Sequence, residues 1–82
     1  GPEEQAARAE LAEALHAGLL ELTPADRAIV LLADVEDWTG PEIAAELGLT
    51  AGAVRTRLSR SRARLRDALG TQLGARYGTA SA

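Results

Sequence analysis

Pro41–Arg66, PEIAAELGLTAGAVRTRLSRSRARLR, is the stretch that decides how this 82-residue chain folds. Its first part, Pro41 to about Leu47, has the spacing of a short helix with Ile43, Ala44 and Leu47 on one face. A tight turn follows at Gly48-Leu49-Thr50. Gly48 supplies a left-handed C-cap, Leu49 points back to the core, and Thr50 caps the next helix. That helix is longer, runs to about Leu69, and brings six arginines into the quoted stretch. A short helix, a glycine turn and a basic second helix have the spacing of a helix-turn-helix, whose second helix enters the major groove of DNA.

At about 100° per residue, Val54, Leu58, Ser61, Leu65 and Leu69 fall on one stripe of the second helix, which faces the core. Thr56, Ser59, Arg60, Ala63, Arg64 and Asp67 lie opposite. Arg57 borders that outward face, and Arg55, Arg62 and Arg66 flank the apolar stripe. Small residues let a helix backbone approach base edges while arginines reach bases or phosphates. The N-terminal turns of the second helix do the reading in this geometry. Arg55, Thr56, Ser59 and Arg60 are therefore the candidates for base contact, and Arg57, Arg62 and Arg64 the candidates for phosphate contact. An arginine-rich amphipathic helix taken alone is equally a solvated face or a binder of acidic protein; the preceding short helix, Gly48 and Thr50 favour DNA.

Upstream, the pattern continues as helices. Leu11, Leu15 and Leu19 recur every four residues within Glu3 to about Leu20, with Ala12 beside them. Leu22-Thr23-Pro24 ends that helix and starts another, with Thr23 as N-cap, Pro24 at the first position and Asp26 completing a Thr-x-x-Asp start. The apolar set of this second helix is Ala28, Ile29, Leu32 and Val35, with Leu31 at the edge, and it fades at Glu36-Asp37. Trp38 sits in the connection and is expected to pack between the second and third helices as an anchor. Thr39-Gly40-Pro41-Glu42 is a capping box for the third. Of these helix starts, the second and third carry an acid at the third position. The fourth has Ala53 there, which leaves its N-terminus free of a carboxylate that would repel phosphate.

The expected architecture is all-α: a four-helix domain with a C-terminal helix-turn-helix and no wing. Residues 3–69 form the domain. Gly1-Pro2 has the look of a tag-cleavage scar. Residues 70–82, with three glycines and no evident periodicity, are expected to be a frayed or flexible tail. The chain holds no cysteine, which excludes a disulfide framework and thiolate metal sites. Its lone histidine, His16, is expected to be a partly exposed helix residue. No metal-ligand spacing, cofactor motif or nucleophile–base pairing appears, so no catalytic residue, metal or cofactor is assigned and an enzyme is not expected. No apolar run approaches the ~20 residues of a membrane span.

The net charge of −3 hides two halves. Residues 1–46 hold eleven acids against two arginines, a balance of −9, and residues 47–82 hold seven arginines against one acid, a balance of +6. Such asymmetry points to two surfaces with different partners. All nine basic residues are arginine, which suits bidentate contact with phosphate or guanine; a GC-rich genome accounts for it equally well.

Four segments together resemble region 4 of bacterial sigma factors, most closely the extracytoplasmic-function (ECF) group. They are Leu22-Thr23-Pro24-Ala25-Asp26-Arg27, Val30-Leu31-Leu32-Ala33-Asp34-Val35-Glu36, Glu42-Ile43-Ala44-Ala45-Glu46-Leu47-Gly48-Leu49, and Gly52-Ala53-Val54-Arg55-Thr56-Arg57-Leu58-Ser59-Arg60-Ser61-Arg62. The resemblance covers about Leu11 to Leu69. It departs at Ala53, where the family often has Thr, and at Thr39-Gly40-Pro41. It implies recognition of the −35 element of double-stranded promoter DNA while the domain is held on the β-flap of RNA polymerase core. It also implies sequestration by an anti-sigma factor, for which the acidic half, helix one and Trp38 offer a protein-facing side. The expected setting is the bacterial cytoplasm. Two rival readings are the helix-turn-helix output domain of a response regulator, which lacks so dense an arginine run, and a helical module that binds only an acidic protein.

Overall fold

The computed structural model describes residues 1–77. Among them are four α-helices and no strand: α1 (Pro2–Glu21), α2 (Pro24–Val30) prolonged by a π turn (Leu31–Val35), α3 (Gly40–Leu47) and α4 (Ala51–Tyr77). The all-α expectation holds. The chain divides into two compact units, Leu22–Ala63 and Gly1–Glu21 with the chain from Arg64 onward, and the division falls inside α4.

In the unit Leu22–Ala63 the helix starts follow from the local sequence. Thr23 is extended (φ −61, ψ 155), its hydroxyl accepts the Asp26 N–H at 3.2 Å, and Pro24 occupies the first helical position, where no N–H is needed. Thr39 forms the complete capping box: its hydroxyl accepts the Glu42 N–H at 3.3 Å, and Glu42 Oε1 accepts the Thr39 N–H at 2.8 Å. The Thr39 backbone N–H holds the Glu42 carboxyl below the usual glutamate range. Two orphan donors are thereby satisfied at the entry to α3.

The core of this unit is Ile29, Ile43, Ala44 and Val54, one or two residues from each of its three helices. Leu32, Ala33, Leu47, Leu49 and Leu58 pack against it. Full burial of each Ile or Val side chain contributes roughly 1.5–3 kcal/mol. Ser61, on the predicted apolar stripe of α4, is also buried. Among the described residues no buried side-chain nitrogen or oxygen lacks a hydrogen-bond partner.

Two details of the second helix differ from the sequence reading. Val35 is 65% exposed and Leu31 is exposed, while Val30 is buried at 6%. The cause is the π turn. The Glu36 N–H bonds to the Leu31 carbonyl at 3.1 Å and the Trp38 N–H to the Leu32 carbonyl at 2.9 Å, wider loops than the α-helical i→i−4 bond. Each widened turn holds an extra residue, so Val35 falls off the row that carries Ile29 and Leu32. Asp37 then adopts a left-handed backbone (φ 59) and ends the element; an Asp tolerates this better than most residues. Trp38 keeps 36% of its surface exposed. It is a half-covered side chain at the rim and not an interior anchor.

In the other unit, α1 runs where expected but buries a different row. Ala14 and Gly18 are buried, whereas Leu11 and Leu15 are 48% and 39% exposed. The row Ala14–Gly18 lies one residue, about 100°, from the leucine row. Size explains the choice. A Cβ built on Gly18 would lie 3.1 Å from Leu65 Cδ2 and 3.5 Å from the Ala68 Cβ, so α1 meets this stretch of α4 with its smallest residues. Gly18→Val is expected to destabilise by about 1–3 kcal/mol through overpacking, read as a lowered urea midpoint.

Helix α4 does not stop at Leu69. It continues through Gly70 to Tyr77, and Leu65, Leu69 and Leu73 prolong one i+4 row that is buried or half-buried. Gly70 and Gly74 each cost about 1 kcal/mol in a helix, which does not end one whose packed row runs on through Leu73. Residues 78–82 of the expected tail lie outside the described residues.

Candidate nucleic-acid interface

The turn between α3 and α4 is built as its residue types demand. Gly48 sits in the left-handed region (φ 69, ψ 34) and its N–H bonds to the Ala44 carbonyl. The Leu49 N–H bonds to the same carbonyl at 2.9 Å, closing the 6→1 loop of a left-handed helix cap, and Leu49 packs on the core. Thr50 then caps α4, its hydroxyl accepting the Ala53 N–H at 3.0 Å. A Cβ on Gly48 would meet nothing within 4 Å, so any cost there is conformational. Gly48→Ala should lose roughly 1–2 kcal/mol, the penalty of a left-handed non-glycine residue, seen as a lower melting temperature with an unchanged helical spectrum.

The predicted reading residues stand together. Arg55, Thr56, Ser59 and Arg60 are all exposed on the first turns of α4, with Thr56, Ser59 and Arg60 on the side away from Val54 and Arg55 on the flank of the apolar stripe. The first turn of α4 carries no acid. Arg55 leans back along it: a Cβ on Gly52 would lie 3.7 Å from Arg55 Nη2 and 4.0 Å from the Thr50 hydroxyl. Its guanidinium therefore adds positive charge where the helix N-terminus already favours an anion.

Two of the predicted phosphate arginines, Arg57 and Arg62, are engaged by carboxylates. Arg57 Nε donates to Asp26 Oδ1 at 2.7 Å in a half-buried pair. Arg62 grips Asp34 with both Nε (3.0 Å to Oδ2) and Nη2 (to Oδ1), in a pair whose side chains are 48% and 40% exposed. One arginine lies on each side of the Val54–Leu58–Ser61 stripe, so two Arg–Asp pairs bracket the seam between α4 and the α2–π-turn segment. The bond from Arg62 draws the Asp34 carboxyl below the usual aspartate range, and Asp34 in turn raises the Arg62 guanidinium. Because the folded carboxyl titrates lower than the unfolded one, the pair's contribution to stability is present above the ordinary carboxylate range. It is lost as acid takes the pH down through the lowered value. Asp26 and Asp34 lie 31 and 28 positions from their arginines; no helical spacing rule reaches that far, and no signal in the sequence pairs them. Arg64, the remaining predicted phosphate contact, is exposed on α4 beyond Ala63 and belongs to the other compact unit.

Four helices, a left-handed glycine turn between the last two and an exposed arginine-bearing face on the final helix define a helix-turn-helix domain of the DNA-binding class. The family model for sigma-70 region 4 matches residues 12–65. The chain belongs to that family, which is one of transcription factors and not of catalysts. It is similar to the ECF RNA polymerase sigma factor SigE of Mycolicibacterium smegmatis, 47% identical over 55 residues, covering 67% of this chain and 21% of that protein. It is likewise similar to the RNA polymerase sigma-E factor of Streptomyces antibioticus, 40% identical over 70 residues, covering 85% of this chain and 37% of that protein. The chain thus spans well under half the length of either relative.

Proposed function

We propose that this domain recognises the −35 element of promoters served by an ECF sigma factor, within transcription initiation by RNA polymerase. The observation that carries the proposal is the exposed set Arg55, Thr56, Ser59 and Arg60 on the first turns of α4, held there by the Gly48 turn and the Thr50 cap. Thr56, Ser59 and Arg60 face base edges, with Arg60 the residue able to make a bidentate contact to guanine. Arg55, beside the acid-free N-terminus of α4, takes a backbone phosphate. Arg64 takes a further phosphate along the helix.

The partners follow the same division. The domain works while held by RNA polymerase core, through the β-flap, and is open to sequestration by an anti-sigma factor; the acidic half of the chain supports a protein-facing role. No helix among the described residues is long and apolar enough to cross a membrane, and the proposed setting is the bacterial cytoplasm. Residues 3–69 are the proposed functional domain.

The test is a titration of labelled −35-type duplex against a scrambled duplex at low and moderate salt. The proposal expects preference for the promoter sequence and a steep loss of affinity with salt. Equal binding to both duplexes would remove sequence recognition. Absence of binding at low salt would leave the acidic-protein module as the better reading.

A further inference from the structure

We infer that Asp34 withholds Arg62 from DNA, so that this carboxylate sets how tightly the free domain grips the phosphate backbone. The inference rests on the proposed DNA-binding role of α4. Arg62 lies two turns beyond Arg55 along nearly the same side of the helix, seven residues on, where a strand backbone followed from the helix N-terminus would pass. It is exposed enough to reach a phosphate, yet the Nε–Nη2 edge of its guanidinium is spent on Asp34, which also neutralises its charge. A phosphate taking that edge would have to displace a bidentate carboxylate of similar geometry, and one approaching Nη1 would meet a guanidinium whose charge Asp34 already balances. Asp34 also presents its own negative charge to any approaching strand.

The π turn is what makes this possible. Asp34 sits within the widened Leu31–Val35 segment, where the altered phase turns Val35 outward and delivers the preceding carboxylate to Arg62. The other bracket differs in kind. Asp26 is mostly covered and stands in the capped first turn of α2, so Arg57 and Asp26 act as a packing pair. Asp34 and Arg62 are the exposed pair that a competing anion can open. Neutralising Asp34 therefore adds one phosphate contact without dismantling the seam.

The experiment compares the whole chain with Asp34→Asn, Arg62→Ala and the double variant. Affinity for promoter and scrambled duplexes is measured from about 50 to 200 mM salt. Asp34→Asn is expected to bind both duplexes about three- to tenfold more tightly at low salt and to steepen the log–log salt slope by about 0.9, the value of one phosphate contact. Arg62→Ala alone leaves the slope as it is, because the arginine is already withheld, and it abolishes the steepening when combined with Asp34→Asn. The inference is overturned if Asp34→Asn binds no more tightly, if its gain survives in the Arg62→Ala background, or if Arg62→Ala by itself flattens the slope. A flattened slope in Arg62→Ala overturns the inference even should Asp34→Asn fold poorly. Equal binding to promoter and scrambled duplex would sink the promoter reading alone, since the slope comparison is made on both.

Discussion

Ile43→Ala is expected to cost about 2–5 kcal/mol of folding stability, the range for truncating a fully buried aliphatic side chain. Ile43 is 1% exposed and sits in the core with Ile29, Ala44 and Val54. A domain of this length has only about 4–12 kcal/mol to lose at ordinary per-residue stabilities. The effect reaches function through packing. Ile43 is on α3, the first helix of the helix-turn-helix, and Val54 is the core residue of the first turn of the helix that carries Arg55, Thr56, Ser59 and Arg60. A cavity there loosens the seating of the face that would read DNA. Urea denaturation followed by helical ellipticity measures the loss. A change under 1 kcal/mol would mean that the site collapses without a cavity and that the core is not organised around this contact.

Arg60→Ala should act in the opposite manner, with the fold intact and the binding changed. Arg60 is exposed on the side of α4 away from Val54 and has no ion-pair partner among the described residues, in contrast to Arg57 and Arg62. Removing a side chain that reads a guanine costs about 1–3 kcal/mol in binding and relaxes specificity at that base, whereas removing a phosphate contact weakens all sequences alike. Competition titrations with duplexes varied at single −35 positions separate the two. A uniform loss across every sequence would reassign Arg60 to the backbone.

The parts of the fold legible in the sequence were those governed by local chemistry. Thr23 and Thr39 with their acids three residues on, and Gly48 in its left-handed turn, are determined by hydrogen-bond donors and backbone sterics within a few residues, so pattern reading placed them. The row buried by α1 was not legible, because periodicity fits the leucine row and the Ala14–Gly18 row equally. The choice between them depends on how closely Leu65 and Ala68 approach. Val35 was misplaced because a π turn changes the helical phase and leaves no mark in composition. The extension of α4 was marked by Leu73, in step with Leu65 and Leu69, but a single leucine among Gly70, Gly74 and small polar residues is a faint periodic signal. In the candidate interface, the exposure of Arg55, Thr56, Ser59 and Arg60 followed from angle alone. The fate of Arg57 and Arg62 did not, since angle locates a side chain on its own helix and says nothing of the carboxylates that another element brings beside it.

Contact between DNA and the first turns of α4 can be read by amide chemical-shift mapping of the isotope-labelled chain during titration with promoter duplex at low salt. This method tolerates weak binding. Perturbations are expected to concentrate from Thr50 to Arg60, at the cap and the outward residues, with α1 and the Leu31–Val35 turn little changed. Perturbations centred on α1 or on the Leu31–Trp38 surface, with Thr56, Ser59 and Arg60 silent, would contradict it.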